Sequence, residues 1–228
     1  MRPYLSSLVS STRRVALAAG LLLLLPGCAS LPGFGRPARA PQTYTPTNYS
    51  GETVLPVGLR RVLLLPACGG TVAPPESTLA LDEELHTALQ RQARFEVVTA
   101  SREDCRVNFG APELSSASAL PHGFMEKVRR IYGADAVMFV DVTVYQPYRP
   151  LALGFRAKLA TVQDVHLVWT FDEVLSAANP AVANGVQHHA TEKGRATTPV
   201  ELAPNVIQSP GRFAAFVADE MFGTLPPR

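Results

Sequence analysis

Cysteine, long apolar runs and any excess of one charge are all scarce in this chain, and each scarcity removes a class of protein. Three cysteines in 228 residues are too few for a disulfide-stapled scaffold or a four-thiolate zinc centre. The longest apolar run, residues 15–25, is about half of the ~20 residues that a membrane-crossing helix needs. Three of the 21 basic residues, Arg2, Arg13 and Arg14, precede Cys28, and none of the 19 acids does. Without that leader the formal charge is −1, and a nucleic-acid partner, which needs a basic face, is excluded. Gly-x-Ser-x-Gly, Ser-x-x-Lys and a cysteine with a partner histidine are missing as well, so no catalytic residue is assigned and no enzyme is expected.

What is present starts with an address. A basic stretch, the apolar run 15–25 and then Leu25-Pro26-Gly27-Cys28 follow one another in the order of an export signal. The string resembles the lipobox of bacterial lipoproteins. That resemblance implies cleavage after Gly27, with the signal peptide spanning 1–27, a diacylglyceryl group on the Cys28 thiol and an acyl group such as palmitate on its new α-amine. Ala29, rather than Asp, at the next position implies sorting to the outer membrane, with the domain facing the periplasm. Two or three acyl chains at about 0.8 kcal/mol per buried CH₂ make such an anchor slow to release.

Residues 28–58 read as the lipidated cysteine and a disordered tether, because Pro32, Pro37, Pro41, Pro46 and Pro56 alternate with Gly33, Gly35, Gly51 and Gly58 and no apolar period appears. Residues 59–228 read as a single domain. Arg61-Val-Leu-Leu-Leu-Pro66 is apolar at every inner position and predicts a central strand covered on both faces. An amphipathic helix over 78–94 carries Leu81, Leu85, Ala88 and Leu89 on one face, and a short strand 95–99 follows. Residues 100–120 give no clear element. Phe124, Val128 and Ile131 mark a helix that Gly133 stops, and 136–145 is the strongest strand. Segments 155–162 and 165–171 predict a hairpin about Gln163-Asp164. Residues 177–208 are partly helical near Pro180, and Ser209-Pro210 opens a last helix that buries Phe213, Phe216, Val217 and Met221. The class is α/β, with a three-layer-like mixed sheet, parallel in its first half and an antiparallel hairpin in its second, between flanking helices.

The opening strand 61–66, the run 85–98 ending in Phe95-Glu-Val-Val98, the Gly133-Ala-Asp-Ala136 entry to a strand and the late Trp169 are similar to a group of envelope lipoproteins. The group includes the curli secretion lipoproteins and the N-terminal domain of the Tol translocation protein, and it implies a fold like that of anticodon-binding domains. At the hairpin turn this chain has Gln163-Asp164-Val165-His166 where members often carry an Asp with a Thr-Gly pair. It also lacks the spare alternating segments from which a pore subunit would build a barrel.

Cys28 being taken by lipid, Cys68 and Cys105 remain as a pair. A right-handed crossover places the ends of strands 61–66 and 95–99 at one edge of the sheet, so the two are expected to form a disulfide; two separate buried thiols are the alternative. Tyr145 and Tyr148, beside Pro147 and Pro150, and Trp169 are the candidate partner-binding residues, as amphipathic rings at a sheet edge. Trp169 shares strand parity with Leu167 and Phe171, which is also the pattern of a core residue. His188-His189 with Glu192 has a metal-like look, but adjacent histidines do not face one way on a helix, and no metal or other cofactor is expected. His86 and His166 read as surface residues, and Asp135, Asp141, Asp164, Asp172 and Glu173 as solvated acids at strand ends and turns. The expected function is a lipid-anchored binding, scaffold or accessory factor in envelope assembly or secretion, with the membrane and another envelope protein as partners. A wall-acting enzyme and a subunit of an export complex are the rivals.

Overall fold

The computed structural model describes residues 43–192 and 209–228. Its strands are β1 (Tyr49–Gly51), β2 (Arg61–Leu64), β3 (Glu96–Thr99), β4 (Ala136–Gln146), β5 (Ala152–Thr161) and β6 (Leu167–Ser176). Its helices are α1 (Pro75–Arg91), α2 (Arg102–Phe109), α3 (Phe124–Tyr132), α4 (Pro180–Glu192) and α5 (Pro210–Gly223). Among the described residues they form one sheet in the order β1-β6-β5-β4-β2-β3. β2 pairs in parallel with β3 and with β4, and β4, β5, β6 and β1 pair antiparallel in turn. The mixed α/β class read from the sequence is therefore the class observed.

Alternation sorts the core into two layers. Val62 and Leu64 of β2 join Ala136, Met138 and Val140 of β4 under α1, α4 and α5. Leu63 and Leu65 join Val137 and Phe139 under α2 and α3. A strand with apolar residues at every position fits only where both faces are covered, and β2 is so placed. Burial of Leu81, Leu85, Ala88 and Leu89 fixes the roll of α1. Pro74 and Pro75 set its start three residues earlier than the apolar period does, because proline at the first helical position costs no hydrogen bond.

Two elements were not read from the sequence. α2 lies within the unassigned stretch 100–120, where Ser101 and Asp104 make reciprocal capping bonds and Gly110, at φ +87°, closes the far end. β1 lies inside the expected tether. Residues 43–58 belong to the fold: Tyr49, Ser50 and Gly51 pair with Phe171, Thr170 and Trp169. Leu55 and Leu59 are buried. Glu173 accepts the Tyr44 hydroxyl at 2.5 Å and the Thr47 and Asn48 N–H groups at 3.0 and 3.4 Å. Local composition missed this segment because its partners lie more than a hundred residues away. The rest of the tether, residues 29–42, the signal peptide 1–27 with Cys28, and residues 193–208 fall outside the described residues.

The C-terminus is tied to the same end of the sheet. Arg94 Nη1 donates to the Leu225 carbonyl and, at 2.7 Å, to that of Pro226. Leu55 N–H bonds to the Pro227 carbonyl at 2.8 Å, and Arg228 Nη2 donates to the Leu59 carbonyl at 2.6 Å.

Glu173→Ala is expected to release residues 44–51 from the β6 edge. Amide exchange at Thr47 and Asn48 should accelerate by about tenfold or more, as loss of ~1.5–3 kcal/mol per charge-assisted bond implies, while the helices keep their protection. Unchanged exchange at those two amides would show that Glu173 does not hold the segment.

Candidate functional site

β2 and β3 are neighbours, yet the chain leaves β2 toward α1 on one face and leaves β3 toward α2 on the other. Such a divergence opens a crevice at the carboxyl ends of the two strands, where open α/β sheets bind their ligands. A groove of about 400 Å³ lies there, lined by Leu64, Leu65 and Pro66 after β2, by Leu79, Asp82, Glu83, Leu85 and His86 of α1, and by Thr99 to Arg102. Leu79 is 57% exposed, so one wall of the groove is open apolar surface.

Arg102, the first residue of α2, organises the floor. Its Nη2 donates to Asp82 Oδ2 at 2.9 Å and to the Ala67 carbonyl at 3.0 Å, and its Nη1 donates to Glu113 Oε2 at 2.7 Å. Asp82 Oδ1 accepts Ala67 N–H at 2.7 Å, and Glu113 Oε1 accepts Gly70 N–H at 3.1 Å. One guanidinium thus joins the loop after β2 to α1 and to the 110s loop. Gly69 completes the turn because a Cβ there would lie 2.5 Å from Thr78 Cγ2 and 2.8 Å from the Ala73 carbonyl. Burial raises the Asp82 pKa, outweighing the Ala67 N–H and Arg102. Burial also acts to raise Glu113, but the Gly70 N–H, Arg102 and the Gly69 N–H together bring it below the usual range. The two carboxylates on one cation therefore shift in opposite directions.

Next to this cluster, Asp141 of β4 is a buried acid that accepts Ser116 Oγ at 2.5 Å and Ser116 N–H at 3.1 Å, while Lys158 Nζ donates to the Ser116 carbonyl at 2.9 Å. The sequence reading placed Asp141 among solvated acids; the 110s loop folds over it and takes the place of water. Neither Arg102 nor this loop was marked by any motif. The one available signal was the Ser101-to-Asp104 capping pair, which sets where α2 begins and hence where Arg102 points.

The other candidates divide. Cys68 and Cys105 are both free thiols, so the expected disulfide is not formed. Cys68 Sγ lies 3.6 Å from Glu113 Oε1, whereas Cys105 is on the inward face of α2 with Phe109, fully buried in the second core layer. Both strands do end at the same edge, but the roll of α2 turns Cys105 into the protein. Burial, reinforced by Glu113 and Asp141, pushes the Cys68 pKa up to about 11, and burial with Asp104 does the same for Cys105.

Trp169 is a core residue rather than a rim residue. It is 1% exposed, 6.2 Å from the Phe171 ring and 6.4 Å from Phe222, with its indole N–H on Thr224 Oγ1 at 3.1 Å. Tyr145 packs partly against the same core, and Tyr148 is 81% exposed on the β4–β5 loop. The three aromatics therefore do not form one surface. His166 is exposed as expected and sits 2.7 Å from Glu52. His189, read as part of a solvated pair, is on α4 with Nε2 2.5 Å from Asp219 Oδ2, which also meets Arg91 at 3.0 Å. Among the described residues no three His, Cys, Asp or Glu side chains come together as metal ligands, and no helix is long and apolar enough to cross a membrane.

No protein-family model and no curated protein matches the chain. Solved structures with a similar fold include the PelC dodecamer from Paraburkholderia phytofirmans, at 11% identity over 79% of this chain and 97% of that one, with a TM-score of 0.45. Lipoprotein GNA1162 from Neisseria meningitidis is 18% identical over 53% of this chain and 85% of that one, with a TM-score of 0.38. The LpoB C-terminal domain from Salmonella enterica is 20% identical over 50% of this chain and 81% of that one, with a TM-score of 0.34.

Two outcomes test the cluster. Arg102→Met should cost about 3 kcal/mol in urea unfolding at pH 7, because two partly buried carboxylates lose their cation. Without Arg102 both carboxyls would titrate higher in the folded variant than in the folded parent, so the deficit is full above the variant's folded pKa values and shrinks as pH falls through them. A deficit that is the same at pH 4 and pH 7 contradicts this. In a Cys28→Ser background, iodoacetamide at pH 8 should alkylate Cys68 roughly ten- to a hundredfold more slowly than free cysteine, and Glu113→Gln should recover part of the rate.

Proposed function

We propose that this protein is a bacterial envelope lipoprotein whose α/β domain works by binding another envelope protein, as an accessory or scaffold in envelope assembly or secretion. The observation that carries the reading is Leu25-Pro26-Gly27-Cys28 behind a basic stretch and an eleven-residue apolar run. In this reading Cys28 carries the lipid, Ala29 directs the protein to the outer membrane and the domain faces the periplasm.

The site supports binding over turnover in a specific way. The acids on the crevice floor and beside it are already committed: Asp82 and Glu113 to Arg102, and Asp141 to Ser116. The Cys68 thiol, with its raised pKa, is a poor nucleophile at neutral pH. Tyr148, by contrast, offers an uncommitted ring to a partner. Fourteen residues, 29–42, separate Cys28 from the first described residues. Their fully extended reach is about 50 Å, so the domain works close to the membrane, entered from its β1 edge.

Metabolic labelling with a palmitate analogue should tag the wild-type protein, and Cys28→Ser should accumulate as an unlabelled, uncleaved precursor. Ala29→Asp should move the labelled protein toward the inner membrane. A Cys28→Ser protein that still matures and floats with outer-membrane vesicles would defeat the lipoprotein reading. Release of wall fragments by the purified protein would favour the enzyme.

A further inference from the structure

β3 is an outermost strand of the sheet, and half of its main-chain groups face away from it. Glu96 N–H bonds to the Arg60 carbonyl at 2.8 Å and Ala100 N–H to the Leu64 carbonyl at 3.3 Å. Residues 96, 98 and 100 therefore address β2, and by the two-residue period Val97 and Thr99 point their N–H and C=O groups outward. No main-chain partner among the described residues meets them. Exposed strand edges of this kind are normally short, charged or covered; β3 is short, but its Val97-Val98-Thr99 is composed of strong β-formers.

The groove at the ends of β2 and β3 runs beside this open edge and includes Thr99. It thus offers, side by side, a row of main-chain donors and acceptors and an apolar recess between Leu79 and Leu85. Its rim is acidic. Asp82 is taken up by Arg102, but Glu83 is exposed and has no side-chain partner among the described residues.

We propose that the β3 edge and this groove receive an extended peptide segment of the partner protein, added as a strand, with an apolar side chain in the groove and a Lys or Arg toward Glu83. This rests on the reading of the domain as a binding module and not on the lipid anchor. A second copy of the chain is a poorer occupant. Four edge residues from each copy fall far short of the roughly 20–30 residues a side that a stable protein interface uses, whereas strand addition gains its affinity from the main chain and needs only a short edge.

The test selects a displayed library of random octapeptides on the purified mature protein in detergent, and measures binding of the recovered peptides by fluorescence anisotropy. The expected consensus is a run of β-formers with one basic residue. Glu83→Lys, on an exposed helix position, should weaken binding by at least about tenfold, the scale of one lost ion pair with the sign reversed. Thr99→Pro, which removes an outward N–H and leaves the β2 ladder intact, should do the same at an unchanged melting temperature. The same peptide N-methylated at alternate residues should not bind, which tests main-chain pairing without altering the protein. The proposal is overturned if no peptide is recovered, if the recovered peptides bind both variants as well as the parent, or if the edge instead forms a dimer that Thr99→Pro dissolves. The binding reading itself fails only if the purified protein releases wall fragments, which is measured separately, so loss of the edge site is distinguishable from loss of that reading.

Discussion

Strand β2 is the constraint on which the rest of the structure depends. It is four residues long and lies between β3 and β4, so both parallel pairings of the sheet are made through it. Val62 and Leu63 are completely buried, on opposite faces. A strand in that position has no solvent face to relieve a misfit, and every neighbour is placed relative to it: α1 by Leu64, α3 by Leu63, β4 by the 62–64 register. Truncating either of its central side chains would therefore cost the few kcal/mol typical of a rigid core and disturb both layers together.

Around that apolar centre the irregular segments are held by single polar residues. Arg102 gathers the loop after β2, Asp141 gathers the 110s loop, Asp135 Oδ2 accepts the Arg60 and Arg61 N–H groups at 2.9 Å, and Glu173 gathers the entering chain. Each meets main-chain N–H or C=O groups that would otherwise be orphaned where a strand stops. Strand ends and loops are where regular hydrogen bonding fails, and in this fold they are also where the groove lies.

The parts legible in the sequence are those whose signal is local. β2 announced itself through an uninterrupted apolar run, α1 through a 3.6-residue period, β4 through length, and α5 through Ser209-Pro210. The parts that were not legible depend on distant partners. β1, Tyr-Ser-Gly, is exposed along its whole length and is a strand only because β6 is beside it. Its neighbouring prolines suggested a tether, and residues up to 58 were assigned to one. The disulfide expectation failed at a finer level. The edge was right, but a thiol's direction follows from which face of α2 is apolar, and Cys105 with Phe109, four residues on, turns inward. For Trp169 the strand parity shared with Phe171 outweighed the amphipathic character of the ring. Of the crevice, only its place at the strand ends could be anticipated, since neither Asp82, Arg102 nor Glu113 belongs to any motif.

The clasp between Glu173 and residues 44–48 has a mechanical consequence. Because β1 follows directly from that clasp, a force applied at residue 43 would be borne first by the Glu173 carboxylate on Tyr44, Thr47 and Asn48 and by the bonds between Asn48 and Asp172, and only afterwards by the three residue pairs of β1 with β6. The remaining sheet, with the C-terminal residues fastened to Arg94 and Leu59, lies behind this sequence of contacts. Under such a load the entering segment would part first, ahead of β2 and the core.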